Sequence, residues 1–141
     1  MKKTMLILSA SVLIFIGAIV IINWPETTTY DEALSTMLEE GESVEKITIF
    51  RESDGHKATV NDESKLTEII EIPSDMELIR KDSPPVDMAY SIFFHTDASN
   101  RYLAIVSENR TDFEKSGYFE VKQENELMQV IESMELDWEA H

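Results

Sequence analysis

The feature that most constrains this chain is an uncharged apolar run of 18 residues, Met5–Ile22, which follows the pair Lys2-Lys3. A helix of this length just crosses the hydrocarbon core of a bilayer. No further Lys or Arg occurs until Lys46, and basic residues flanking the N-terminal side favour a cytoplasmic N-terminus. The sequence therefore predicts a single-pass membrane protein, with a signal-anchor segment at 1–25 and a domain at 26–141 outside the cytoplasm.

A cleaved secretory signal is the alternative interpretation of this segment, because a basic start and an apolar stretch are the first two regions of such a signal. The residues that end the run, Ile21-Ile22-Asn23-Trp24-Pro25, lack the pattern of small residues that a cleavage site requires. Trp24 also stands where an interfacial aromatic residue belongs. We therefore expect an uncleaved anchor, with secretion after cleavage as the alternative.

The segment after the anchor is strongly acidic. It has all 28 of the Asp and Glu residues and, because Lys2 and Lys3 precede it, 10 of the 12 Lys and Arg residues, for a net charge of −18. Phosphate binding needs a basic surface, so no nucleic-acid partner is predicted. Such a charge favours encounter with basic proteins or peptides. The absence of cysteine excludes disulfides, thiolate metal sites and a lipid-modified cysteine.

The patterns after residue 25 predict a two-layer α+β domain, in which an antiparallel sheet carries helices packed on one face. Runs rich in β-branched residues and strict alternation indicate strands, while apolar residues at helical spacing indicate helices. The predicted elements are a helix near 30–40, a hairpin of Val44–Arg51 with His56–Val60, a helix capped by Asn61, a short strand Met76–Lys81, a hairpin of Met88–His95 with Arg101–Glu108, a loop at 109–117, a strand Tyr118–Lys122 and a helix from about Glu124.

The last helix carries the candidate interaction face. Its apolar stripe extends the predicted helix to Trp138 and consists of Leu127, Val130, Ile131, Met134 and Trp138. The helix dipole favours cations near a helix C-terminus, yet four acidic residues stand there: Glu132, Glu135, Asp137 and Glu139. Either Lys or Arg side chains of the sheet pair with these four residues, or an external basic partner does.

No stretch of the sequence predicts a reaction. The Gly-x-Ser-x-Gly elbow of α/β-hydrolases, the phosphate-binding glycine loops and His-Glu-x-x-His are all absent from the chain. Ser43-Val44-Glu45-Lys46 matches Ser-x-x-Lys, but it lies where the chain enters a strand. On a helix this spacing would bring the amine beside the hydroxyl. We therefore predict no catalytic residue and no cofactor.

Metal binding has no better support. With Gly55 at the sixth position of a calcium loop, Phe50 and Asn61 take the places of the first aspartate and the bidentate glutamate. His56, His95 and His141 show no ligand spacing. The cluster Glu39, Glu40 and Glu42 is interpreted as a solvated charged face, with loose cation binding as the alternative. No metal site is predicted.

These observations predict a membrane-anchored binding module that engages a basic protein, a peptide or a cell-envelope component. One alternative is an accessory or sensor subunit of a membrane complex, in which the apolar segment itself makes specific contacts. Another is an envelope hydrolase, although every strong catalytic motif is missing. The layout resembles that of small envelope proteins of Gram-positive bacteria, and this resemblance transfers no residue role from a named family.

Overall fold

The computed structural model describes residues 26–141, so the predicted anchor lies outside the described residues. Three helices and one sheet of nine strands make up this part. Within it, no helix is both long enough and apolar enough to cross a membrane. The strands are β1 Thr27–Thr29, β2 Val44–Arg51, β3 His56–Val60, β4 Glu77–Lys81, β5 Tyr90–Thr96, β6 Arg101–Val106, β7 Arg110–Phe113, β8 Gly117–Val121 and β9 Glu139–Ala140. The helices are α1 Tyr30–Met37, α2 Glu63–Glu71 and α3 Glu126–Ser133.

Every neighbouring pair of strands in the sheet is antiparallel, and the order is β1-β4-β8-β7-β6-β5-β2-β3-β9. Both predicted hairpins are confirmed, with Ile49 opposite Ala58 in the first and Phe94 opposite Tyr102 in the second. The second hairpin also pairs with the first, since Ile47 lies opposite Phe94. The predicted α+β class with an antiparallel sheet is therefore confirmed.

The core lies on one face of the sheet. Tyr90, Ile92 and Phe94 of β5 are buried, while Ser91 and Phe93 between them are only partly buried. Side chains of all three helices join the inward sheet residues in one apolar cluster. The opposite face, here called the open sheet face, contributes nothing to that cluster. Its apolar side chains are half-buried and comprise Phe50, Ile79, Phe93, Leu103, Ile105 and Tyr118.

The last helix is shorter than the sequence predicts, because it ends at Ser133 and Met134 is already extended. Beyond it, Met134, Leu136 and Trp138 are half-buried, whereas Glu135 and Asp137 are exposed. The chain therefore alternates with a period of two where the sequence stripe indicates helical spacing. Spacings of four fit both periods, so Met134 and Trp138 could not distinguish a helix from an extended tail.

Two further predictions are corrected, and two short strands were not predicted. The predicted loop at 109–117 contains β7, in which Thr111 and Phe113 are fully buried. The cap of α2 is Asp62 instead of Asn61, since its Oδ1 accepts a hydrogen bond from the Lys65 backbone N–H at 3.1 Å. The two edge strands β1 and β9 have three and two residues, too few for a periodic signal.

Candidate functional site

The helices and the residues beside them form a strongly acidic surface, here called the acidic helix layer: residues 30–40, 61–76 and 123–137. These segments contain one basic residue, Lys65, and therefore carry −13 of the −18 of residues 26–141. None of the three helices has a basic residue in its last turn. The fourteen acidic residues of the layer are Asp31, Glu32, Glu39, Glu40, Asp62, Glu63, Glu68, Glu71, Asp75, Glu124, Glu126, Glu132, Glu135 and Asp137.

The structure distributes the four predicted interaction residues over three elements. Glu132 lies in the last turn of α3, Glu135 and Asp137 lie on the extended tail, and Glu139 lies in β9 opposite Lys57. All four side chains are exposed. Among residues 26–141, no ion pair joins any of these carboxylates to a cation. The pairing with sheet cations that the sequence suggested is therefore not formed.

The tail that carries Glu135 and Asp137 is held by contacts at its two ends. Lys65 Nζ donates a hydrogen bond to the backbone oxygen of Glu135 at 2.7 Å. At the other end, Trp138 stacks on Tyr90 with ring centroids 6.5 Å apart, and the Arg51 guanidinium lies 4.3 Å from the Trp138 ring. These contacts explain why the tail leaves the helix: its apolar side chains pack against the core and against β2 and β5, while its carboxylates face solvent.

Arg51 is itself fixed by the turn between β2 and β3. Its Nη2 donates to Asp54 Oδ2 at 2.7 Å, and the backbone N–H of His56 donates to Asp54 Oδ1 at 3.1 Å. The hydrogen bond from Arg51 is the main reason why the pKa of Asp54 falls well below its usual range. The same pairing raises the pKa of Arg51. Arg51 is therefore a charged side chain whose guanidinium lies against the face of the Trp138 ring.

Two shallow depressions of about 400 and 500 Å³ border α3. Carboxylates line both depressions, with Asp75, Glu77 and Glu124 around the first and Glu108 and Glu132 in the second, where side-chain amides are at least as frequent. No set of three or more His, Asp or Glu side chains in residues 26–141 is arranged to hold a metal ion. The negative charge of the two depressions attracts cations. Neither lining contains a nucleophilic side chain beside a general base.

The other sequence candidates do not come together into a site. Ser43 immediately precedes β2 and Lys46 lies within it, so Ser-x-x-Lys lies on extended chain instead of a helix. His95 Nε2 lies 3.1 Å from Thr48 Oγ1. Burial, together with the nearby charges of Lys46 and Arg101, lowers the pKa of His95. The three histidines lie on β3, β5 and the C-terminus, as separate side chains.

Glu42, which the sequence grouped into a solvated charged face, is instead a structural hydrogen-bond acceptor. Thr96 Oγ1 and Asn100 Nδ2 donate to its Oε1, while Tyr102 OH and the Glu39 backbone N–H donate to its Oε2 at 2.8 and 2.9 Å. Desolvation acts to raise the pKa of Glu42, but these hydrogen bonds outweigh it and lower the pKa to about 2. One carboxylate thus joins the loop after α1 to the turn between β5 and β6.

Replacing Glu42 with glutamine should lower the melting temperature at pH 7, and the difference from the parent chain should shrink on acidification. The folded-state pKa of about 2 lies below the ordinary 4.5. The carboxylate therefore stabilises the fold fully above about pH 4.5, and this contribution is lost as pH falls towards 2. Thermal melts between pH 7 and pH 2 measure the effect.

Glu40→Gln is the matched control for that series. Glu40 is exposed in the same loop, and this substitution removes the same charge as Glu42→Gln. Its melting temperature should follow the parent chain at every pH. Equal behaviour of the two variants would mean that the hydrogen bonds to Glu42 do not stabilise the fold.

Comparison of the chain with protein-family models, with curated proteins and with solved structures found no match.

Proposed function

We propose that this chain is a membrane-tethered interaction module that binds a basic protein or peptide outside the cytoplasm through its acidic helix layer. The observation that carries the proposal is the distribution of charge: fourteen acidic residues and one lysine in the three helical segments. The tether is the predicted signal-anchor Met5–Ile22.

The uncompensated carboxylates support binding to an external cation. Glu132, Glu135 and Asp137 are exposed, and no Lys or Arg within residues 26–141 forms an ion pair with them. Like charges so placed repel one another, and a basic partner relieves that repulsion on binding. Electrostatic attraction of this kind also speeds encounter and weakens as salt is added.

The test uses the full-length protein in nanodiscs of phosphatidylcholine and a fluorescent decalysine peptide as the probe. The variant Glu132→Gln, Glu135→Gln, Asp137→Asn removes three of the exposed carboxylates. Each exposed ion pair contributes about 0.2–1 kcal/mol, so the three together should weaken binding about tenfold. The affinity of the parent chain should also fall steadily between about 20 and 300 mM salt.

A control variant separates the local surface from the overall charge. Glu45→Gln, Asp82→Asn, Asp87→Asn changes the net charge by the same amount at exposed positions outside the acidic helix layer. It should weaken decalysine binding much less than the first variant. If both variants weaken binding equally, only the net charge matters and the acidic helix layer is not a binding surface.

A further inference from the structure

We infer that the open sheet face is an interface with a second copy of this chain, so that two molecules pack sheet against sheet and turn their acidic helix layers outward. A solvated face of an antiparallel sheet is ordinarily polar. This one instead has six half-buried apolar side chains. Phe50 and Phe93 form an edge-to-face pair with centroids 5.6 Å apart, and Arg101 lies over Phe93 at 4.8 Å.

The charge of this face differs from that of the rest of the domain. The strand register places five of the ten cations of residues 26–141 here, namely Lys46, Lys57, Lys81, Arg101 and Arg110. Asp112, Glu114 and Glu120 share it, as do Glu139, which lies opposite Lys57, and Glu52, whose carboxylate accepts a hydrogen bond from Ser91 Oγ. Two copies that each carry −18 repel one another over most of their surfaces. The open sheet face is nearly neutral, so it is where two copies can approach.

Four charged side chains of this face are arranged so that they can pair between two copies. Lys46 and Lys57 lie on β2 and β3, whereas Asp112 and Glu114 lie on β7 and directly after it. None of these four side chains forms an ion pair within residues 26–141. Burial and the neighbouring Glu114 raise the pKa of Asp112, as expected for a carboxylate without a cation beside it.

In the proposed dimer, a two-fold axis lies in the interface, parallel to the strands and between β5 and β6. Because the strand order is β3-β2-β5-β6-β7-β8, this axis sets β2 and β3 of one copy against β7 and β8 of the other. Lys46 and Lys57 of each copy then lie opposite the part of its partner that carries Asp112 and Glu114, as an isologous contact requires. Leu103 and Ile105 of β6 lie near the axis and supply its apolar centre.

The size of the face suits a dimer. Six strands at about 4.8 Å spacing and six residues at about 3.3 Å give a face of roughly 30 by 20 Å in projection. Its accessible area is larger than this projection because the side chains stand out from the sheet. It therefore approaches the roughly 800 Å² per partner of a stable protein–protein interface.

The absence of cysteine from the chain permits a direct test with the full-length protein in cells. Ile105→Cys, treated with a short bismaleimide, should give a covalent dimer. Ser35→Cys, exposed on α1, should stay monomeric under the same treatment. If Ile105→Cys accumulates poorly, Ser91→Cys on the adjacent strand examines the same face. Dimers at Ser35→Cys in equal amount, or none at either open-face position, would overturn the inference.

An exchange of charges tests the proposed pairing itself. In the Ile105→Cys chain, Lys46→Glu with Lys57→Glu, or Asp112→Lys with Glu114→Lys, should each reduce cross-linking at least fivefold. Co-expression of the two variants with different tags should restore cross-linking between unlike chains, since both contacts become complementary again. Melting temperatures close to that of the parent exclude misfolding as the cause. Failure to restore the mixed dimer would show that these charges do not join the copies. Because neither readout involves a basic ligand, this test is independent of the proposed function.

Discussion

Replacing Phe113 with alanine should lower the free energy of unfolding by about 3–5 kcal/mol, the usual cost of truncating a fully buried aromatic side chain. Phe113 is completely buried, with Tyr30 in an edge-to-face contact at 5.8 Å and Phe119 at 6.1 Å. Its removal leaves a cavity between β7, α1 and β8, which the rigid sheet cannot close.

Phe93→Ala is the matched control, because the same side chain is removed from the opposite face of the same sheet. Phe93 is only half-buried there, so its loss should cost about 1 kcal/mol or less in the monomer. Denaturant unfolding of the full-length chain in detergent micelles, at submicromolar concentration, measures both variants. Equal losses would mean that the open sheet face is covered in the monomer and that the core is not confined to one face.

Replacing Asn125 with alanine should cost about 2–4 kcal/mol. Asn125 is 8% exposed and caps α3, since its Oδ1 accepts from the Met128 backbone N–H at 3.1 Å. Its Nδ2 also donates to the Ser107 backbone oxygen at 2.8 Å. The variant loses the cap, at about 1 kcal/mol, and leaves the Ser107 carbonyl without its donor, at about 1–3 kcal/mol.

Asp62→Ala separates the two contributions, because Asp62 caps α2 in the same way but is exposed. It should cost about 1 kcal/mol, the value of a cap alone. Asn125→Asp keeps the cap and removes the donor, so its stability should lie below that of the parent chain. If Asn125→Ala and Asp62→Ala cost the same, the bond between Asn125 and Ser107 adds nothing to stability.

Elements with strong local patterns were predictable from the sequence alone. Alternation over residues 88–95 and 101–108 specified the second hairpin, and alternate residues of its two strands, such as Ile92 and Ala104, are buried. Alternation and turn-forming residues are properties of consecutive residues, so both can be recognised in the sequence without the tertiary structure. The acidity of the helical segments was also available from counting residues.

Other features depend on contacts between residues far apart in the sequence. The short strand β7 forms because Thr111 and Phe113 fit beneath the helices. The tail after Ser133 is extended because Trp138 packs against Tyr90 and Arg51. The donors Thr96, Asn100 and Tyr102 reach Glu42 across 54 to 60 residues. No local window contains both members of these pairs.

The sequence by itself therefore determined the apolar N-terminal segment, the charge, the hairpins and the approximate positions of the three helices, because each is a property of consecutive residues. The tertiary structure decided the order of the nine strands and which faces are buried. Only that order separates the acidic helix layer from the open sheet face, because strand pairing brings Lys46, Arg101 and Phe93 to one side. The surface on which each proposal rests is set by long-range pairing, which no single segment of sequence encodes.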